Sequence, residues 1–158
     1  MRALFTAAFA ISVLAGCATS PAPASYGNFA KAAAAADNRA LADDVASKLA
    51  ATYLPARTRF TLQHETPDAF GISLVALLRK RGYAMAEFRK TAIAGAPPKG
   101  SPSGGGEPVT LALAYIVDQP LEEPLYRITV VVDMQTLSRL YRLNDGRLVP
   151  AGYWIRKE

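Results

Sequence analysis

The chain has 158 residues, 51% hydrophobic and 20% charged, with 18 lysines and arginines against 13 acids and a formal charge of +5 at pH 7. This length and balance suit one globular domain with tails and exclude a disordered or strongly polycationic chain. One cysteine, Cys17, and one histidine, His64, exclude a disulfide within the chain and leave too few ligands for a structural zinc site.

Arg2 opens an apolar run from Ala3 to Leu14 that leads into Leu14-Ala15-Gly16-Cys17. One basic residue, roughly 7 to 15 apolar residues and small residues before the cleavage point make an export signal. The run is far shorter than the roughly 20 residues that cross a bilayer. Residues 1–16 therefore read as a lipoprotein signal peptide, with Leu14, Ala15 and Gly16 as its recognition residues and Cys17 as the lipid attachment site. Residues 17–37 read as a lipidated tether, and 38–158 as a single periplasmic domain. Similarity to bacterial lipoproteins implies cleavage before Cys17, a diacylglycerol thioether on its sulfur and acylation of the freed amine. In those proteins an aspartate after the cysteine favours inner-membrane retention. Ala18 stands there instead, which implies the outer membrane, facing the periplasm.

Asp37 or Asn38 predicts the cap of a first helix running toward Tyr53, with Leu41, Val45 and Leu49 at a spacing of four and Pro55 as its stop. Arg57 to Leu62 alternates as a half-buried strand. Thr66-Pro67-Asp68 predicts the start of a second helix, with Thr66 accepting from backbone amides, Pro67 in the first turn and Asp68 complementing the dipole. Phe70, Leu74, Val75, Leu77 and Leu78 give that helix its apolar side. Arg79-Lys80-Arg81 suits its end, and Gly82 a left-handed stop. Tyr83 to Phe88 returns as a strand. The proline- and glycine-rich stretch 94–108 predicts a long flexible loop. From Val109 the apolar period becomes two, giving strands over Val109–Val117, Leu125–Asp133, Gln135–Leu143 and Val149–Ile155. Asp133-Met134 and Asn144-Asp145-Gly146 supply tight connections. The predicted fold class is α+β, two helices packed on a mainly antiparallel sheet.

Nothing in the residues assembles chemistry. His64-Glu65 lacks the second histidine of a zinc-binding helix and reads as loop polarity. Glu122 and Glu123 read as solvated turn acids between prolines. Lys99-Gly100-Ser101 has the wrong order for a phosphate loop. Arg79-Lys80-Arg81 and Arg156-Lys157 read as a solvated helix end and tail, so no direct nucleic-acid binding is expected; an anionic lipid or an acidic partner surface stays open. No metal, cofactor or small-molecule substrate is expected, and no catalytic residue is assigned. Tyr141, Arg142, Tyr153 and Trp154 are the candidate partner interface, because tyrosine and tryptophan are enriched at interface cores, although on strands they more often pack within the sheet.

Three stretches carry a resemblance to a known family: Leu14 to Thr19 with the following Ser25-Tyr26-Gly27-Asn28-Phe29; Pro55-Ala56-Arg57-Thr58-Arg59-Phe60; and Leu137 to Arg142 before Asp145-Gly146-Arg147-Leu148. The chain resembles the TrbH family of conjugal transfer lipoproteins. The resemblance implies a structural component of a conjugative type IV secretion system that works with outer-membrane channel subunits and catalyses nothing. Two alternatives stay open: a stand-alone periplasmic lipoprotein that binds envelope material, and an enzyme working through His64 or Glu65.

Overall fold

The computed structural model describes residues 25–30, 35–90, 108–120 and 125–158. The signal, Cys17, most of the 94–108 stretch and Glu122-Glu123 lie outside these residues. In chain order the elements are β1 (Gly27–Asn28), α1 (Ala35–Thr52), a 3₁₀ turn at Pro55–Arg57, β2 (Thr58–Leu62), α2 (Ala69–Lys80) and β3 (Ala84–Ala86). They continue with β4 (Val109–Asp118), β5 (Leu125–Val132), β6 (Gln135–Asn144), β7 (Arg147–Pro150) and β8 (Ile155–Lys157). This is the α+β architecture expected, two helices on a mostly antiparallel sheet.

The sheet runs β3-β2-β4-β5-β6-β7. Its antiparallel half is a meander. Asp133 takes positive φ in the two-residue link between β5 and β6. Asp145 and Gly146 are both at positive φ between β6 and β7, which a type I′ turn requires. The other half is parallel: β2 pairs with β3 on one side and with the first half of β4 on the other, in the register Thr58↔Val109 to Leu62↔Leu113. β1 then fills the second half of the same β4 edge, with Gly27↔Ile116 and Asn28↔Val117, and Phe29 N–H donates to the Val117 carbonyl at 2.7 Å. The sheet thus takes in two residues from the stretch read as tether.

One face of the sheet holds the core. Phe60, Leu113, Tyr115, Ile128, Val130, Leu137 and Tyr141 are at most 1% exposed and meet Leu41, Val45 and Leu49 of α1 and Phe70, Leu74 and Leu78 of α2. Phe70 sets its ring 4.9 Å from that of Tyr115, and Asp44 of α1 bonds Tyr141, so both helices cover the same side. Arg81 joins the two helices by donating to Asp43 and Ser47.

Local expectations are corrected in four places. α1 starts at Ala35, so Asp37 and Asn38 lie buried in its first turn and do not cap it. The cap of α2 is Asp68, not Thr66: its Oδ1 accepts from Gly71 N–H at 3.0 Å, because a carboxylate at that position reaches the free amide directly. Gly82 does stop α2 at φ +88°, but β3 is shorter than expected, since Tyr83 turns inward and donates its hydroxyl to the Tyr53 carbonyl. The last strand is broken in two. Pro150 ends β7, Ala151 N–H makes a last bond to the Leu140 carbonyl of β6 at 2.8 Å, the chain departs from the sheet over residues 151–154, and β8 returns to β6 further along, at Ser138 to Thr136.

Candidate functional site

The break after Pro150 creates a surface site. β6 sends Leu137, Arg139 and Tyr141 toward the helices and Ser138, Leu140 and Arg142 toward the opposite face, which carries no helix among the described residues. There Arg127 of β5 lies directly opposite Leu140, and Ile155 of β8 opposite Ser138. The excursion lays Gly152 and Tyr153 beside them. Together these residues line an open groove of about 260 Å³. Its apolar members stay in water: Leu140 is 41% exposed, Ile155 66% and Tyr153 92%.

A network beneath the groove fixes its shape. Arg139 Nη1 reaches both oxygens of Asp44 at 3.0 and 2.9 Å, and its Nε donates to the Gly152 carbonyl at 2.7 Å. Tyr141 donates its hydroxyl to the same carboxylate at 2.5 Å. The Arg139 guanidinium also stands 6.0 Å from the ring centres of Tyr141 and Trp154, within cation–π range. Burial, reinforced by the Asp44 bond, pushes the Tyr141 phenol above its ordinary range, so it remains a donor. α1, β6 and the 151–154 excursion are thereby tied at one carboxylate.

Of the four candidate interface residues, the structure brings two to one surface. Tyr153 stands at the groove, and Arg142 is exposed two residues beyond Leu140 on the same face. Tyr141 is 1% exposed and belongs to the core. Trp154 is half-buried against that core. Sequence reasoning missed Arg127, Leu140 and Ile155. The available signal was Leu140 itself, an apolar residue on the polar phase of the β6 alternation.

His64 lies at the other end of the sheet, in a wider depression of about 670 Å³ lined by Tyr26, Phe29, Asp68 and Phe88 among others. Its ring stacks on Tyr26 at 5.6 Å and meets Tyr115 edge-on at 4.5 Å. Nε2 accepts from Tyr115 N–H at 3.3 Å, and Nδ1 lies 2.8 Å from the Glu65 carbonyl. The one neutral tautomer that satisfies both carries its proton on Nδ1. Tyr115 donates its hydroxyl to Asp68 at 2.5 Å, and Asp68 is also the helix cap. Both ring nitrogens and both carboxylate oxygens are therefore engaged in holding the fold.

Burial lowers the His64 pKa, against smaller opposing pulls from the Glu65 carbonyl and Asp68. Below about pH 6.5 the unfolded chain then takes up more protons than the folded one. Full stability is present above that pH and declines as the pH falls, until the folded ring is itself protonated. Urea midpoints at about pH 7.5 and about pH 5.5 should differ more for the wild type than for His64→Gln. Equal differences would show that another group carries the acid sensitivity.

Among the described residues no helix is long and apolar enough to cross a membrane, and no cluster of histidine, cysteine and acids has the form of a metal site. A family model described as conjugal transfer protein TrbH matches residues 23–158. No curated protein and no solved structure matches the chain. The matched region holds every described strand and helix, the groove and the His64 cluster, and on that extent the chain belongs to the TrbH family of conjugal transfer proteins.

Proposed function

We propose that the chain is a lipid-anchored assembly component of a conjugative type IV secretion system, held in the outer membrane through Cys17, facing the periplasm and contacting channel subunits there. The observation that carries the reading is the family match, which begins shortly after Cys17 and runs to the last residue. β1 adds physical support. Because Gly27 is already paired to β4, only about ten residues separate the anchor from the folded domain, a span of at most about 35 Å. The several acyl chains of a mature lipoprotein hold stably where one chain holds marginally. A subunit confined to such a shell meets neighbouring subunits at high effective concentration, so no single contact needs high affinity. Its role is to join and position, and the residues that serve it are those on the surface of the sheet.

Cys17→Ser tests the anchor. The variant should keep the wild-type circular dichroism and melting curve but leave the membrane fraction after a carbonate wash. Continued sedimentation with lipid would overturn the anchoring role. Affinity purification of tagged, detergent-solubilised wild type from cells carrying the transfer genes tests the assembly role: channel subunits should copurify. A lone lipidated monomer, under conditions that preserve a known envelope complex, would instead favour a stand-alone lipoprotein.

A further inference from the structure

The face that carries no helix among the described residues combines two properties. It exposes three large apolar side chains around one groove, Leu140, Tyr153 and Ile155, and surrounds them with cations. Cross-strand register puts Arg142, Arg147 and Lys157 on this same face, opposite Val149, Asn144 and Thr136. All three are exposed, and none is paired with a carboxylate of the described residues. Among the described residues the acids nearby are Asp118, committed to Arg127; Asp145 at the hairpin tip; and Glu158, paired with Arg156.

We infer that this face docks an extended acidic segment of a partner protein, with one apolar side chain seated in the groove beside Tyr153 and flanking carboxylates on Arg142, Arg147 and Lys157. The inference rests on the assembly reading and names the chemistry of the contact. Size argues for a side chain: the groove, about 260 Å³, is smaller than the roughly 300–1,000 Å³ of small-molecule sites. Charge argues for carboxylates, since arginine forks pair with them in two parallel hydrogen bonds. A lipid surface fits less well. Membrane-binding basic clusters hold about four to eight cations, and a bilayer puts nothing into a concavity. Tyr153 has the character of a binding anchor, a large ring almost wholly in water. The Asp44–Arg139–Gly152 bonds hold the excursion that presents it, so little ordering remains to be done on binding.

The test places a photo-crosslinking phenylalanine analogue at position 153 of the full-length protein, in cells carrying the complete set of transfer genes. Irradiation should give one protein adduct, and mass spectrometry should locate the attachment in a segment rich in aspartate and glutamate around an apolar residue. Arg142→Glu with Arg147→Glu should cut the adduct at least about tenfold, and Arg142→Lys with Arg147→Lys should restore it. A lipid adduct, an attachment site without acids, yields indifferent to charge reversal, or no adduct would each overturn the inference. Affinity purification from the same cells separates the two levels. Copurifying channel subunits without an adduct at position 153 would sink the docking face alone. Absence of both would sink the assembly reading with it.

Discussion

Gly71→Ala should lower the unfolding free energy by about 3 kcal/mol, although the same exchange on an ordinary helix adds stability. Gly71 is the third residue of α2, where alanine is worth about 0.5–1 kcal/mol more than glycine through chain entropy. A methyl there, however, would overlap the Tyr115 hydroxyl and come within 2.8 Å of Thr66 Cβ. Tyr115 cannot step aside. It is fully buried, its ring is wedged between those of Phe70 and His64, and its hydroxyl is held by Asp68 at 2.5 Å. The added methyl therefore pushes on the cap of α2 and on the centre of the sheet together. Tyr115→Phe alone should cost about 1–2 kcal/mol for its hydrogen bond. The double variant should lie above the sum of the two by about 1 kcal/mol or more, with the Thr66 contact still unrelieved. Urea denaturation of the four proteins checks this. A Gly71→Ala protein as stable as the wild type would mean that α2 shifts freely over β4.

Asp44→Ala should cost about 3 kcal/mol, at the low end of the range for breaking a buried ion pair, because water still reaches side chains that are 19% and 29% exposed. The loss has two parts. Arg139 is left charged without its partner, and the Tyr141 hydroxyl, in a residue 1% exposed, loses its acceptor. Asp44→Asn keeps one acceptor oxygen and should cost less. The single tryptophan gives a separate local signal. With Arg139 freed, the grip on Gly152 loosens and native-state Trp154 emission should move to the red before global unfolding. Unchanged emission together with an unchanged urea midpoint would remove the network from the account of the groove.

How far the fold was legible follows from how local its causes are. β5, β6 and their link announce themselves through Leu125 to Val132, Asp133-Met134 and the alternation from Gln135, because pairing, turn and period all lie within about twenty residues. The two helices were legible for the same reason, through Leu41-Val45-Leu49 and Phe70-Leu74-Leu78. The parallel pairings were not. Nothing in Arg57 to Leu62 names Val109 to Leu113 as its neighbour, and nothing in Tyr26 to Phe29 distinguishes a tether from a two-residue strand. In the site, Tyr153 was named from the sequence as a candidate contact, but within one continuous strand over Val149–Ile155, whereas it stands in the excursion between β7 and β8. Tyr141 was named beside it although tyrosines on strands more often pack within the sheet, and there it is 1% exposed, with Arg139 pointing inward to Asp44. Side-chain phase along a strand decides such cases, and phase shows only when the partner strand is known.

The parallel register of β2 on β4 also sets an order of events as the chain emerges to fold. Thr58 and Val109 are about fifty residues apart, and until β4 has emerged β2 has only β3 beside it. Phe60 and Leu62 are then without the strand that completes their face. The meander, by contrast, closes across links of two residues and has its partners as soon as it is made. The first half of the domain thus waits on the second, and a chain ended before residue 109 has no folded half to fall back on.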